Sequence, residues 1–251
     1  MIKLIASDLD GTLLKRSESL VSEQTKTAVL SALASGKEFA VISGRDVPSL
    51  KRVFGFAADK VFYVGCNGAV CVKKDKVIYS RPVSDISVLK AFRYAKESDK
   101  NLVLCAADTV YVCGTQGFYS QVSPLYGEGE TIAINNTSEI KKPIYKISFF
   151  TAYGEPKVDF SDFSVRLSYC KNGWTEYVSR FATKGGALTA LQSHLGILKT
   201  STASLGDSRE DSEMFRHSAI SFAFDKEAEE AFSEAISVKS FSEAYETIIK
   251  S

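Results

Sequence analysis

The first fourteen residues constrain this chain more than any other stretch. Ile2, Leu4, Ile5 and Ala6 form a short, nearly continuous apolar run, the pattern of a strand buried on both faces. The run stops at Ser7, and carboxylates follow at Asp8 and Asp10. Residues two apart in an extended backbone project to the same side, so both acids are expected to leave the strand's carboxyl end together. Gly11 permits a sharp turn just beyond them. Two like charges this close repel, and such a pair usually needs a cation to hold it. Taken alone, D-x-D-G also fits a solvated acidic turn after an edge strand. The rest of the chain decides between the two.

Along the chain, Ser22 reads as an N-cap with Glu23 in the first turn, Val29 and Leu33 as the buried face of a helix, and Gly36 as its C′ residue. Glu38 to Ser43 and Val61 to Val64 are the second and third apolar runs. Strands alternating with helices predict βαβ units and a parallel sheet, in which ligands bind beyond the carboxyl ends of the strands. Asp8 and Ser43 both fall at such ends. From Gly65 the texture changes, with a loop followed by a hairpin up to Ser80. A helix over Ser84 to Lys96 then leads into strands at Leu102–Cys105, Val110–Cys113, Ile144–Phe150, Val165–Tyr169 and Trp174–Val178. Asp108-Thr109 and Lys171-Asn172-Gly173 supply turns between neighbouring strands. Trp174 reads as core of this unit. The parallel texture returns at Thr183. Lys184 opens a helix through Leu195 that Gly196 ends, and Ala203–Leu205 is a buried strand running into Gly206-Asp207. Asp211 begins a helix through Arg216, Ile220–Phe224 is a strand, Asp225 caps a helix through Ile236, and Ser242–Lys250 is a short amphipathic helix.

Composition removes several function classes. A net charge of +1 over 251 residues offers no electrostatic case for nucleic acid or an anionic membrane surface. No apolar run has membrane-spanning length, and acids arrive too early for a signal-peptide layout. Five cysteines, an odd number without C-x-x-C spacing or a nearby histidine, read as reduced thiols in or near a core, in a cytoplasmic protein. His194 and His217 take no role.

Four motifs in order carry a family resemblance: D-L-D-G-T at Asp8, A-V-I-S-G-R at Ser43, T-K-G-G-A-L at Lys184 and L-G-D-S-R-E-D at Asp207 and Asp211. Together they resemble the haloacid dehalogenase-like phosphatases. The chain is most similar to the Cof-type branch, whose N-G-A after the third strand is matched by Asn67, Gly68 and Ala69. The resemblance implies an α/β fold: a parallel, three-layer Rossmann-like core from residues 1–80 and 178–251, with an inserted α+β cap over 81–177. It implies that Asp8 is the nucleophile forming an aspartyl-phosphate, and that Asp10 protonates the leaving oxygen and then activates water. Mg²⁺ would be held by Asp8, the backbone carbonyl of Asp10 and Asp207, with Asp211 orienting that shell. Ser43, Gly44 and Lys184 would hold the phosphoryl oxygens, and Arg45 and Asn67 are candidate substrate contacts. Lys184 is an unusual choice for a plain surface residue, since a cation at a helix N-terminus opposes the dipole. One position departs from the family: Glu210 stands where an Asn is usual. The favoured expectation is that it turns away and pairs with Arg45 or Arg209, the alternatives being that it joins the Mg²⁺ shell or that the site is weakened. The implied activity is hydrolysis of a small phosphorylated metabolite such as a sugar phosphate, by a monomer or weak homo-oligomer. A phosphomutase using the same site, or a non-enzymatic phospho-acceptor or metabolite-binding protein, are the alternatives.

Overall fold

The computed structural model describes residues 1–126, 131–151, 158, 160 and 164–250. Its first part contains β1 (Leu4–Ser7), α1 (Glu23–Ala34), β2 (Glu38–Ile42), α2 (Val47–Val53), β3 (Phe62–Gly65), β4 (Val70–Lys73) and β5 (Lys76–Ser80). The middle holds α3 (Asp85–Glu97), β6 (Asn101–Cys105), β7 (Val110–Cys113), α4 (Gln116–Tyr126), β8 (Thr131–Ala133), β9 (Lys146–Phe150), β10 (Val165–Lys171) and β11 (Trp174–Ser179). The last part is α5 (Lys184–Leu195), β12 (Thr202–Gly206), α6 (Ser212–Arg216), β13 (Ile220–Ala223), α7 (Lys226–Ala231), β14 (Ile236–Ser237) and α8 (Phe241–Lys250).

The first and last parts share one sheet, ordered β14-β13-β12-β1-β2-β3-β4-β5 among the described residues. It is parallel up to β3, and the β4–β5 hairpin then continues it antiparallel. Alternation sorts its side chains onto two buried faces. Ile5, Phe39 and Val41 pack with Val29 of α1, Leu50 of α2 and Phe241 of α8. Leu4, Ala6, Ala40 and Ile42 pack instead with Leu188 and Leu191 of α5 and Met214 of α6. A sheet apolar on both faces has to be covered on both, which gives the expected three layers. Local signals set the helix ends. The Ser22 hydroxyl accepts the Thr25 N–H at 3.2 Å, and Gly196 takes the left-handed turn (φ +64°) that stops α5.

The middle part forms a second sheet, β10-β11-β9-β6-β7-β8, antiparallel except for β7–β8. One face packs on α3, where Val88, Ala91 and Phe92 meet Leu102, Leu104, Ile147 and Phe149. The other face, with Val103, Cys105, Val110 and Val112, packs on Phe118, Val122 and Tyr126 of α4 and runs without a break into Cys66 and Ala69 below β3. The two sheets therefore share an apolar cluster. Trp174 packs between Phe150 and Phe118, with centroids at 5.3 and 6.2 Å. No described helix is long and apolar enough to cross a membrane.

One expectation is corrected, and two elements were not foreseen. The helix after Asp225 ends at Ala231, not Ile236, because Phe232 turns edge-on against Phe215 (5.8 Å) and Ile236 pairs with Phe222 as strand β14. Helix α4, which contains Gly117 and Pro124, was not anticipated, although Phe118, Val122 and Tyr126 share one face at four-residue spacing. Strand β8 is only three residues long and went unseen.

Candidate active site

Asp207, Asp8 and Ser43 follow β12, β1 and β2, which are neighbours in the parallel sheet, so the topology alone brings them to one edge. Asp8 prolongs the ladder, its N–H reaching Leu205 O at 3.0 Å, and its side chain is buried. The chain then turns tightly, with the Gly11 N–H on Leu14 O at 2.7 Å. Gly11 has φ +93°, and a Cβ there would lie 1.9 Å from Asp207 Oδ2, so only glycine lets this turn approach the acid.

Lys184, first residue of α5 and 7% exposed, donates to Asp8 Oδ1 at 2.8 Å and to Asp211 Oδ1 at 2.7 Å. Those two carboxylates compensate the cation that the helix dipole opposes. Asp211 Oδ2 accepts the N–H groups of Asp207 and Ser208 and the Ser208 hydroxyl, at 2.8–3.0 Å, closing a capping box. Gly206 makes room for it: a Cβ there would sit 2.3 Å from Asp211 Cβ. Asp207 is paired from the other side by Arg16 Nη2 at 2.7 Å. Carboxylate oxygens of Asp8, Asp207 and Asp211 lie within 4.8 Å of one another. Burial pushes the Asp8 carboxyl up from 3.8 to about 7, with Lys184 opposing and Asp211 and Asp207 adding to the rise. Burial likewise raises Asp207, against the pull of Arg16. Asp8 and Asp211 outweigh burial at Lys184 and raise its pKa. Three buried carboxylates facing one lysine and one arginine leave negative charge over, and every donor is an oxygen. This set fits a hard divalent cation.

The second and third loops are laced to each other. Ser43 is 2% exposed, and its Oγ accepts the Arg45 N–H at 3.2 Å. Asn67 N donates to Ser43 O and Cys66 N to Arg45 O, at 2.9 and 2.8 Å. Asn67 is left-handed (φ +55°), which places its Oδ1 only 2.9 Å from where a Cβ on Gly44 would be. Gly68 (φ +89°) abuts Thr183, whose carbonyl would be 2.2 Å from a Cβ. The N-G-A turn thus wedges between the Ser43 loop and the start of α5.

Asp10 does not accompany Asp8. Strand β1 ends at Ser7, so strand alternation is lost before Asp10, whose carboxylate instead takes a two-pronged contact from Arg45 (Nε at 2.8 Å, Nη2 at 2.5 Å). Both Asp10 oxygens are thereby occupied, and the side chain stands outside the carboxylate cluster. Glu210 departs from expectation too. It is exposed and pairs with neither Arg45 nor Arg209; it lines a cavity of about 270 Å³ with Arg166, Arg180, Thr183, Lys184 and Glu213. Arg45 is already committed to Asp10. Asp211 stands beside Asp8 and Asp207 with both its oxygens engaged, by Lys184 and by the Asp207–Ser208 turn. Arg16 and Ser208 were not foreseen. The S-x-x-D spacing from Ser208 to Asp211 was a legible capping signal, whereas Arg16 in K-R-S-E carries none.

The profile of the haloacid dehalogenase-like hydrolases matches residues 5–244. The phosphatase YwpJ of Bacillus subtilis (strain 168) is 26% identical over 253 aligned positions, covering 85% of this chain and 86% of that protein. The 5-amino-6-(5-phospho-D-ribitylamino)uracil phosphatase YbjI of Escherichia coli (strain K12) is 23% identical over 233 positions, covering 89% and 85%. Among solved structures, the subclass IIB sugar phosphatase BT4131 superposes with a TM-score of 0.74 at 20% identity over 98% of each chain. With a family match spanning nearly the whole chain and the acidic cluster at the strand ends where such a fold binds ligands, the chain belongs to the haloacid dehalogenase-like hydrolases, in their Cof-type branch.

Proposed function

We propose that the protein is a phosphatase that hydrolyses a small phosphorylated metabolite, of the sugar-phosphate kind, through an aspartyl-phosphate on Asp8. The observation that carries this reading is the Asp8 carboxylate, buried at a strand end with Oδ1 fixed by Lys184 at 2.8 Å and two further acids beside it. With Oδ1 so held, Oδ2 is the oxygen that attacks phosphorus. The Asp8–phosphorus bond forms as the bond to the ester oxygen breaks, and Asp10 delivers a proton to the departing oxygen. Water then attacks phosphorus, Asp10 takes its proton, and Asp8 is released with inorganic phosphate. Asp10 can do this only after leaving Arg45, since both its oxygens are engaged there. Entry of the phosphate gives Arg45 an alternative anion, which frees Asp10 as substrate arrives. Lys184 and the Ser43 hydroxyl hold the transferring oxygens and offset their charge. A Mg²⁺ ion bound by Asp8, Asp207 and the Asp10 carbonyl would supply the remaining positive charge against carboxylate–phosphate repulsion. The second sheet, over 81–177, serves as the cap and carries the selectivity for the rest of the substrate.

The test is phosphate release across a panel of phosphorylated metabolites, with and without EDTA, with Asp8→Asn as the blank. Asp8→Asn is expected to fold normally and to retain less than about a hundredth of wild-type turnover. Greater residual activity, or turnover indifferent to EDTA, would remove the covalent role or the metal from this account.

A further inference from the structure

Lys146 belongs to β9, in the second sheet, yet its ammonium lies against the phosphate-binding loop of the first. It is 4% exposed, and its Nζ sits 3.1 Å from Glu176 Oε1 on the neighbouring β11 and donates to Gly44 O at 3.3 Å. Glu176 Oε1 also accepts the Ser148 hydroxyl at 3.4 Å. Burial opposes the charge on Lys146. The Glu176 carboxylate, with Asp46, outweighs it, so the group stays an ammonium. A buried ion pair of this kind is weak support for stability, because apolar residues of similar size commonly serve as well. Its direction is more informative. The pair aims a cation from one sheet at a single backbone carbonyl of the other.

That carbonyl belongs to the peptide unit whose N–H is on Arg45, and this N–H donates to Ser43 Oγ at 3.2 Å. We propose that Lys146 is a positioning residue for phosphate binding, acting on Ser43 through the Gly44–Arg45 peptide. A cation on the carbonyl polarises the peptide and makes its N–H a stronger donor, as in any chain of linked hydrogen bonds. The N–H occupies a lone pair of Ser43 Oγ, so the hydroxyl proton points away from the loop and toward the phosphoryl group. Because Lys146 rides on the cap sheet, this alignment is complete only when that sheet is seated. The inference deepens the phosphatase reading above and rests on it.

The test uses the full chain with Mg²⁺ and follows inorganic phosphate binding by titration calorimetry. Lys146→Met combined with Glu176→Gln removes both charges, so neither is left buried and unpaired. It is expected to weaken phosphate binding about tenfold, the size of one hydrogen bond. The same pair placed in a Ser43→Ala background is expected to change binding by less than about twofold, because the relay then has no end point. Unchanged phosphate affinity in the folded variant overturns the proposal. So does an equal loss in the Ser43→Ala background, which would mark a merely structural effect. If the Met variant does not fold, Lys146→Gln with Glu176→Gln is read by the same criterion. Wild type that binds phosphate but hydrolyses no ester removes the phosphatase reading alone, and wild type that binds none removes both.

Discussion

At the scale of single residues, Arg16 shows how charge is kept in balance around the acids. It is 71% exposed, and it holds Asp207, which would also be a metal ligand. Only the arginine of this pair is exposed; Asp207 is buried, so Arg16→Ala leaves a buried carboxylate without its partner and is expected to cost about 1–3 kcal/mol in thermal unfolding. The guanidinium nevertheless competes for the oxygen a cation would use. Mg²⁺ affinity measured by titration calorimetry should therefore rise a few-fold in Arg16→Ala, and a fall would show that Arg16 organises the site. Glu210 poses a related question. It faces the cavity beside Lys184 without pairing to Arg45 or Arg209, and as an exposed carboxylate its field is screened by water. Glu210→Asn should keep kcat within a few-fold and, if anything, lower KM. A loss in kcat beyond about a hundredfold would place Glu210 in the working site. What could be read at this scale was whatever has a local signature: Asp8 before a Gly turn, Lys184 at the start of a helix, Ser43 at the end of an apolar run. Arg16 and Lys146 meet their partners across 191 and 102 positions of chain, and no local pattern distinguishes them from ordinary basic residues.

At the scale of elements, the junction of loops is where sequence and site meet most tightly. Gly68 joins the turn after β3 to the start of α5, and two facts forbid a side chain there. Its φ of +89° is unfavourable to any Cβ, and a Cβ would lie 2.2 Å from Thr183 O. The left-handed conformation alone costs about 1–2 kcal/mol, and the clash is with backbone that cannot swing aside. Gly68→Ala should lower stability by about 2 kcal/mol or more in urea unfolding. It should also reduce turnover in the surviving folded fraction, because Thr183 carries Lys184. A variant as stable as wild type would mean that the turn relaxes without disturbing α5. Strong patterns gave the right elements elsewhere: buried runs became β1, β2 and β12, and Ser22 and Gly196 bound their helices as written. Misreadings arose where tertiary contact decided. Phe232 left its helix to pack on Phe215, and α4 formed despite Gly117 and Pro124 because its apolar face lies on the second sheet.

At the scale of the whole molecule, the shared apolar cluster ties the second sheet, the proposed cap, to the first. Because Cys66, Ala69 and Cys105 are all fully buried in that cluster, excising 81–177 would expose the core beneath β3. Thiol chemistry gives a gentler probe. Four of the five cysteines are buried, and burial pushes the Cys66 and Cys71 thiols up to about 12 and raises Cys105. A thiol so placed is almost wholly protonated near neutral pH and unreactive until its surroundings open. Cys66 and Cys105 come from different sheets and lie in the same cluster, whereas Cys71 lies among Leu4, Ala6 and Phe62 of the first sheet alone. If the cap lifts to admit substrate, iodoacetamide should label Cys66 and Cys105 in the native protein faster than Cys71, with Cys170, the least buried, reacting first. Inorganic phosphate with Mg²⁺ at about ten times the dissociation constant should then slow labelling of the first two about tenfold and leave Cys170 unaffected. Labelling of Cys66 and Cys105 at the same slow rate as Cys71, with or without phosphate, would mean that the two sheets separate only on global unfolding. Substrate would then have to reach Asp8 between them without the cap lifting.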